Sequence, residues 1–468
     1  MIRIVPHLPL LSVALFVIVP ATTAAVNLSG GGRQLSLLVI FFVFLVAVAD
    51  FLISKGRLSQ MDCEVPGMLR CTKGRELDVP IVFSNRGSAL RWLRYGLSIS
   101  RFFRSKGSVI GKLTDVEAGK TRSVEYPLIP LKRGQYFIEE LHLETPSALR
   151  LWLMRRKYEI DTEVRVYPDL TLERKRLSAL FLLRGSDGNH VVRQVGKGRD
   201  FEQLRDYQPG DDYIDIDWKA TARRRMPVTR TYQIERTQEV YVVVDHSRLS
   251  GREIRVPIED GEGGDWDYDE NSAGGEYLIS SQLERFLHCS LVLSSVAEKQ
   301  GDLFGFISFA DKVDRFIRSG NGKQHYNIVR DALYTLQPEP VAPDFEQLMI
   351  SLRQRLTRRA LIVMLVDLSD PLTAEHFYEA LPLIARQHLV LVNMVRPEKA
   401  HQLFSRQVEP ELTSGIYDCL GGHFQWQELR DTGKLLSNLG VEMSVPDHEE
   451  LCTEAVTQYL NVKKRQLI

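Results

Sequence analysis

The chain has 468 residues, enough for two or three domains, and carries 60 Lys plus Arg against 60 Asp plus Glu. The formal net charge of +0 supplies no overall basic field of the kind that nucleic-acid recognition needs. Five cysteines (Cys63, Cys71, Cys289, Cys419, Cys452), odd in number and without CxxC spacing, argue against a disulfide scaffold and for a reducing compartment; a Cys63–Cys71 bridge closing a small loop is the alternative.

Residues 1–58 read as a transmembrane hairpin. Two apolar segments, about Leu8 to Val26 and Leu35 to Ile53, each reach the ~20 residues that a helix needs to span a bilayer core. Pro9 and Pro20 lie in the first, and Asp50 near the end of the second. The turn between them, NLSGGGRQ, is glycine-rich. Arg3 precedes the pair and Lys55 and Arg57 follow it, so the positive-inside rule places both flanks, and all that follows, in the cytoplasm. Asp50 falls at interfacial depth, where a carboxylate costs little, and is expected to be functionally idle. A cleaved signal peptide followed by a single anchor is the alternative, kept open by the Ala-rich stretch Ala21 to Ala25.

Residues 59–169 alternate with period two. Leu77, Val79, Ile81 and Phe83 share a face, as do Tyr126 and Leu128, Tyr136 and Ile138, and Leu141 and Leu143. Turn signals at Asn85-Arg86-Gly87, Glu117-Ala118-Gly119 and Lys132-Arg133-Gly134 separate the runs. The expectation is an antiparallel β-sandwich of the immunoglobulin or fibronectin kind, serving by default as a spacer beside the membrane.

Residues 170–238 comprise a connecting helix and a dense segment, Gly196 to Arg230: GKGRDFEQLRDYQPGDDYIDIDWKATARRRMPVTR. Gly196 and Gly198 permit a close or left-handed path. Phe201, Leu204 and Tyr207 recur at helical spacing, and Pro209-Gly210-Asp211 signals a turn. Asp215, Asp217 and Trp218 precede Lys219 and Arg223 to Arg225, which puts opposite charges within short reach and predicts an ion-paired brace. The Arg223 to Arg225 cluster reads as self-paired, with phosphate binding as the alternative.

From residue 239 to 468 continuous apolar runs alternate with helical patterns. Val240 to Val244 ends in Asp245-His246-Ser247, and Leu361 to Val366 ends in Asp367. Helices are predicted near Ser280 to Lys299, Tyr326 to Leu336 and Phe345 to Leu356, with further strands at Leu303 to Phe309, Leu389 to Val395 and Val441 to Val445 and a terminal helix. This pattern is that of a doubly wound α/β domain whose parallel sheet is covered on both faces, with ligands at the carboxyl strand ends. The run Glu259 to Glu270, EDGEGGDWDYDE, holds seven acids and no base and reads as a mobile insertion.

Asp245, Ser247 and Asp367 at that edge resemble the metal-ion-dependent adhesion site of von Willebrand factor A domains. The resemblance implies a Mg²⁺ held by a DxSxS run, a threonine and a later aspartate. It is half kept: Leu249 stands at the third DxSxS position, and Val341-Ala342-Pro343-Asp344 offers no threonine, only Asp344 as a substitute. The alternative is that each aspartate caps a turn or helix, the fold being retained with the metal site weakened or lost.

The dense segment resembles the bacterial family called domain of unknown function 58, whose hallmark is a GxGxEFxxLRxYxPGDDxRxIDWKAxAR-like run leading into a von Willebrand A-like domain. The chain carries Gly196, Gly198, Phe201, Leu204, Arg205, Tyr207, Pro209, Gly210, Asp211, Asp212, Ile216, Asp217, Trp218, Lys219, Ala222 and Arg223 of that run. It departs at Asp200, where glutamate is usual, and at Asp215, where arginine is common. The membrane hairpin and β-rich domain also resemble the family's layout. The resemblance implies a protein of the bacterial inner membrane that works with MoxR-type AAA+ ATPases in assembling or activating other proteins. No phosphate-binding P-loop, HExxH, GxSxG or dinucleotide glycine pattern occurs, so a non-catalytic adaptor is expected. The rival readings are a metal-dependent enzyme using the Asp245, Ser247 and Asp367 edge, and a structural protein of the cell envelope.

Overall fold

In the computed structural model the described residues are 2–28, 30–183, 195–196, 200–209, 211–233, 238–257, 277–403 and 413–465. The acidic run 259–270 and the glycines Gly198 and Gly210 lie outside them. The chain forms two compact units, one chiefly of residues up to Asp169 and the other chiefly of residues from Leu170 onward.

In the first unit two apolar helices, Leu8–Asn27 and Gly31–Ser54, are each long enough to cross a membrane. Phe41, Phe42, Phe44 and Leu45 of the second are all exposed, as lipid-facing side chains would be. The first helix opens into a π-turn at Ala14–Ile18 just ahead of Pro20. Proline has no N–H to offer the carbonyl one turn back and its ring crowds that carbonyl, so the turn before it widens.

Both ends of the hairpin are fastened to one sheet. Residues Ile2–Pro6 form a strand antiparallel to residues 152–156. At the other end Asp50, only 1% exposed, accepts hydrogen bonds from Ser147 Oγ (2.5 Å) and the Leu149 amide (2.9 Å). Ser54 Oγ accepts from the Ala148 amide at 3.1 Å, and Trp152 Nε1 donates to the Ala47 carbonyl at 2.9 Å. Asp50 is therefore not idle. It closes the 147–149 turn, and the sequence could not show this because the turn lies about a hundred residues away. Two ends held by one sheet lie on the same side of whatever bilayer the helices cross.

The β-rich part has two sheets around one core. The first orders Ile2–Pro6, Trp152–Tyr167, Gly134–Pro146, Leu90–Leu97 and Gly111–Val116; the second orders Met61–Glu64, Leu77–Asn85, Thr121–Pro130 and Phe103–Ser105. Val79, Ile81 and Phe83 of the second share a buried cluster with Leu93, Leu141, Leu143, Val164 and Val166 of the first, as the period-two alternation requires. One pairing departs from the wholly antiparallel expectation, since Met68–Thr72 runs parallel to residues 163–167. Cys63 and Cys71 are both free thiols, and burial pushes each up to about 12, so neither is poised as a thiolate.

The second unit is built on a six-stranded sheet: β1 (Glu239–Asp245), β2 (Leu303–Phe309), β3 (Val313–Gly320), β4 (Leu361–Leu365), β5 (Leu389–Asn393) and β6 (Glu442–Ser444), in the order β3-β2-β1-β4-β5-β6. Only β3 runs antiparallel to its neighbour. Alternate residues of β1 feed two cores: Val240, Val242 and Val244 pack with Phe286, Leu293 and Val456, whereas Tyr241 and Val243 pack with Leu348, Phe377 and Leu436. That double coverage makes the strand sequences continuously apolar. The strand order reverses between β1 and β4, the place where such sheets open a crevice beyond their carboxyl ends.

A small sheet precedes this body, in which Val228–Gln233 pairs with Asp200–Asp206 and with Val195–Gly196. Residues 200–206 are a strand and not the helix that the 201, 204, 207 spacing predicts. The pairing slips between Phe201 and Gln203, leaving an extra residue that breaks the two-residue alternation. Interrupted in this way, a strand presents a spacing of three.

Candidate functional site

Asp245 ends β1 and Asp367 follows β4, so the switch point brings them side by side, both buried. Each spends one oxygen locally. Asp245 Oδ1 accepts the Ser247 amide at 2.8 Å, and Asp367 Oδ1 accepts the Ser369 amide at 2.9 Å. Asp245 Oδ2 has no hydrogen-bond partner. Burial, with Asp367 adding repulsion, pushes the Asp245 carboxyl up to about 7 against the opposing pull of the Ser247 amide. Ser247 is buried too, and its hydroxyl caps the short turn Arg248–Gly251 by accepting the Leu249 amide at 3.4 Å. The loop is laced to its surroundings: the His246 amide donates to the Phe309 carbonyl (3.0 Å), and the Arg248 amide to the Val341 carbonyl (3.0 Å).

Sequence reasoning missed Arg252. Its Nη1 lies 3.4 Å from Asp367 Oδ2 and donates to Ser369 Oγ at 3.1 Å. Nothing in the spacing of Asp245, Ser247 and Asp367 marks it, because it reaches the edge from beyond the turn that Ser247 caps. His246 was passed over as well; it is buried beside Glu339, 3.5 Å away, and burial holds its ring below the usual histidine range. The proposed substitute ligand Asp344 is instead a helix cap. Its Oδ1 accepts the Gln347 amide at 2.9 Å at the start of helix Phe345–Arg355.

These residues do not fit the divalent cation that the adhesion-site resemblance implies. Leu249 offers no donor, Asp344 is committed elsewhere, and a guanidinium already sits 3.4 Å from the second oxygen of Asp367, which like Asp245 Oδ2 accepts no hydrogen bond. Among the described residues no group of three or more His, Cys, Asp or Glu could hold a metal. A dication beside Asp367 would share its oxygen with a fixed positive charge.

The dense segment is the second candidate surface. Asp211 binds Arg205 Nη2 through Oδ1 (2.6 Å) and accepts the Gln208 amide (3.0 Å) through Oδ2, contacts that hold its carboxyl below the usual carboxylate range, the backbone amide foremost. Asp217 caps helix Trp218–Arg224 by accepting the Lys219 and Ala220 amides (3.0 and 2.9 Å) and binds Arg230 Nε at 3.0 Å. Its carboxyl is lowered too, first by the Ala220 amide and then by Arg230. Tyr207 stacks on Tyr213 with ring centroids 6.1 Å apart. The brace is therefore ion-paired as predicted, but through Arg205 and Arg230. Arg223, Arg224 and Arg225 are exposed and form no ion pair among the described residues, which corrects the self-paired reading. Their near neighbours in sequence are apolar and exposed: Ile214 by 94% and Trp218 by 69%, with Tyr213 and Met226 also open to solvent.

A family described as "Protein of unknown function DUF58" matches residues 203–252 and 270–404. The match bears out the resemblance that the run from Gly196 to Arg230 led us to expect. The uncharacterized protein YeaD of Bacillus subtilis (strain 168) is 24% identical over 126 residues, 27% of this chain and 31% of the relative's length. The chain thus spans about a third of that curated relative. Among solved structures, BatB of Bacteroides thetaiotaomicron aligns at 15% identity over 49% of this chain and 99% of its own, with a TM-score of 0.28. An aerotolerance-related membrane protein of Bacteroides fragilis aligns at 15% identity over 48% and 98%, with a TM-score of 0.25.

Proposed function

With the DUF58 match over residues 203–252 and 270–404 as the premise, we propose that this protein is a membrane-anchored, non-catalytic adaptor. It presents a von Willebrand A-like body, on the cytoplasmic face of a bacterial inner membrane, to a MoxR-type AAA+ ATPase that assembles or activates other proteins. The observation that carries this reading is the exposed Tyr213, Ile214, Trp218 and Met226 beside Arg223, Arg224 and Arg225, which form no ion pair among the described residues. Large apolar side chains crowded into one exposed segment mark a surface that a partner covers. Aromatic residues and arginine are also the types that anchor protein interfaces. The ATPase itself comes from the family resemblance; the surface asks for an apolar partner face with acidic groups at its rim.

The anchoring supports the same picture. Arg3, Lys55 and Arg57 flank the helices, and the positive-inside rule assigns those flanks to the cytoplasm. A cleaved signal peptide would carry away Ile2–Pro6, an edge strand of the first sheet, which favours two retained helices. The test is a mild-detergent pull-down of the full chain from its native membranes, with and without ATP and Mg²⁺, repeated with Trp218→Ala and with Arg223, Arg224 and Arg225 changed to glutamate. Nucleotide-dependent recovery of an AAA+ protein by the wild type, lost in both variants, is the expected result. Recovery of none by the wild type, or equal recovery by all three, would sink the reading.

A further inference from the structure

The carboxyl edge of the sheet holds two buried aspartates, and the chain brings its own cation to them. We propose that the Arg252 guanidinium supplies the cation beside Asp367 where the Asp245, Ser247 and Asp367 arrangement would otherwise take a divalent metal ion, so that the Asp367 charge is met without metal. The geometry is specific. Arg252 Nη1 donates a hydrogen bond to Ser369 Oγ (3.1 Å) and lies at ion-pair distance, 3.4 Å, from Asp367 Oδ2, an oxygen that accepts no hydrogen bond. The backbone that delivers it is fixed on both sides: the Arg252 amide donates to the Leu249 carbonyl (3.2 Å), and its carbonyl accepts the Gln282 amide (2.9 Å). That places Arg252 between the turn capped by Ser247 and the helix Gln282–Lys299.

Charge and solvation favour the same assignment. Asp367 is 1% exposed, and a carboxylate so buried needs a cation or a set of donors to offset its lost hydration. It has one amide and one guanidinium. The Arg252 side chain is 47% exposed, so the cation keeps part of its own hydration while it neutralises the partner below it. A guanidinium cannot lose its proton in a protein, and this makes the pairing permanent where a metal site would depend on supply. The remaining ligand positions agree: Leu249 replaces a hydroxyl, and Asp344 is spent on a helix cap. None of this depends on whether the adaptor's partner is an ATPase.

The test is thermal unfolding of the full-length protein in detergent, with millimolar MgCl₂ or MnCl₂, with NaCl at matched ionic strength, or with EDTA. The wild type should melt at the same midpoint in all four. Arg252→Ser should melt several degrees lower in EDTA and regain part of that loss in MnCl₂, because it frees the Asp367 oxygen for metal. A wild-type midpoint raised by MnCl₂ over the NaCl control would overturn the proposal, as would an Arg252→Ser protein indistinguishable from wild type throughout. Should Arg252→Ser not fold, the double variant Arg252→Ser/Asp367→Asn, with both charges removed, should fold again and ignore metal. If the double variant also fails, the charge pairing is not what holds this edge and the proposal falls.

Discussion

Replacing Asp50 by alanine tests how the membrane hairpin is joined to the rest of its unit. The variant removes both acceptors that hold the 147–149 turn, the partner of Ser147 Oγ at 2.5 Å and of the Leu149 amide at 2.9 Å. Hydrogen bonds to a carboxylate contribute ~1.5–3 kcal/mol each, so two lost together cost roughly 3–6 kcal/mol. Part of that returns as hydration, because the Leu149 side chain is 58% exposed and water can reach its amide. A net loss of about 3 kcal/mol remains, which for a unit of this size lowers the melting midpoint by ~6–12 °C. Trp152 packs edge-on against Phe51 at 5.9 Å, so its fluorescence reports on the junction. The assay is a fluorescence melt of the full chain in detergent, with hydrogen exchange followed at residues 147–152. Asp50→Asn keeps one acceptor and should recover about half the loss. A melt within a degree or two of wild type, with unchanged exchange at Ala148 and Leu149, would refute the reasoning and reduce the contact to an incidental one.

Glu173 is buried, which raises its pKa, but His288 and then Arg285 outweigh that and hold the carboxyl down at about 2, against 4.5 when unperturbed. A carboxyl lowered in the fold stabilises it above the unfolded pKa, and this contribution of about 3 kcal/mol should fade as pH falls from about 4.5 toward 2; Glu173→Gln should abolish that slope in acid unfolding curves. Asp245 has the opposite sign. Raised from 3.8 to about 7, it makes the fold less stable as pH climbs through that interval. Asp245→Asn should therefore raise the melting midpoint at pH 8, by at most about 4 kcal/mol in stability, and leave it nearly unchanged at pH 4. At Gly305 an added methyl would overlap the Tyr241 ring, which is pinned by its hydroxyl to Ser319 and stacked on Phe316. Gly305→Ala should destabilise the second unit by ~1–3 kcal/mol in denaturant titration, whereas Gly421→Ala, which meets open space inside helix Thr413–Asn438, should stabilise it by ~0.5–1 kcal/mol.

The parts of this molecule legible in its sequence are those set by local period and composition. Val240 to Val244 and Leu361 to Leu365 announce buried parallel strands because both faces of each are covered. Apolar runs of hairpin length announce themselves in the same way. What stayed hidden depends on distant partners. Residues 200–206 become a strand only because Val228–Gln233 lies beside them, and the slip between Phe201 and Gln203 disguises the alternation. Ile2–Pro6 is too short to read as a strand until its partner at 152–156 is known. At the candidate site the two aspartates and Ser247 were readable from their places at strand ends. The residue that changes their chemistry, Arg252, acts through a long side chain whose reach no spacing encodes.

The strand Ile2–Pro6 also imposes an order on synthesis. It pairs with Trp152–Arg156, so the edge it completes follows some 150 residues later in the chain. At the usual pace of ~5–20 residues per second that is a wait of roughly 7–30 s. If the two apolar helices cross a bilayer in that time, Ile2–Pro6 must end on the same side as residues 152–156 for the sheet to close. A chain whose amino terminus crossed with the first helix could never close this sheet. Closure of this sheet therefore selects among insertions of the helices: only a hairpin with both ends on one side brings Ile2–Pro6 to its partner edge.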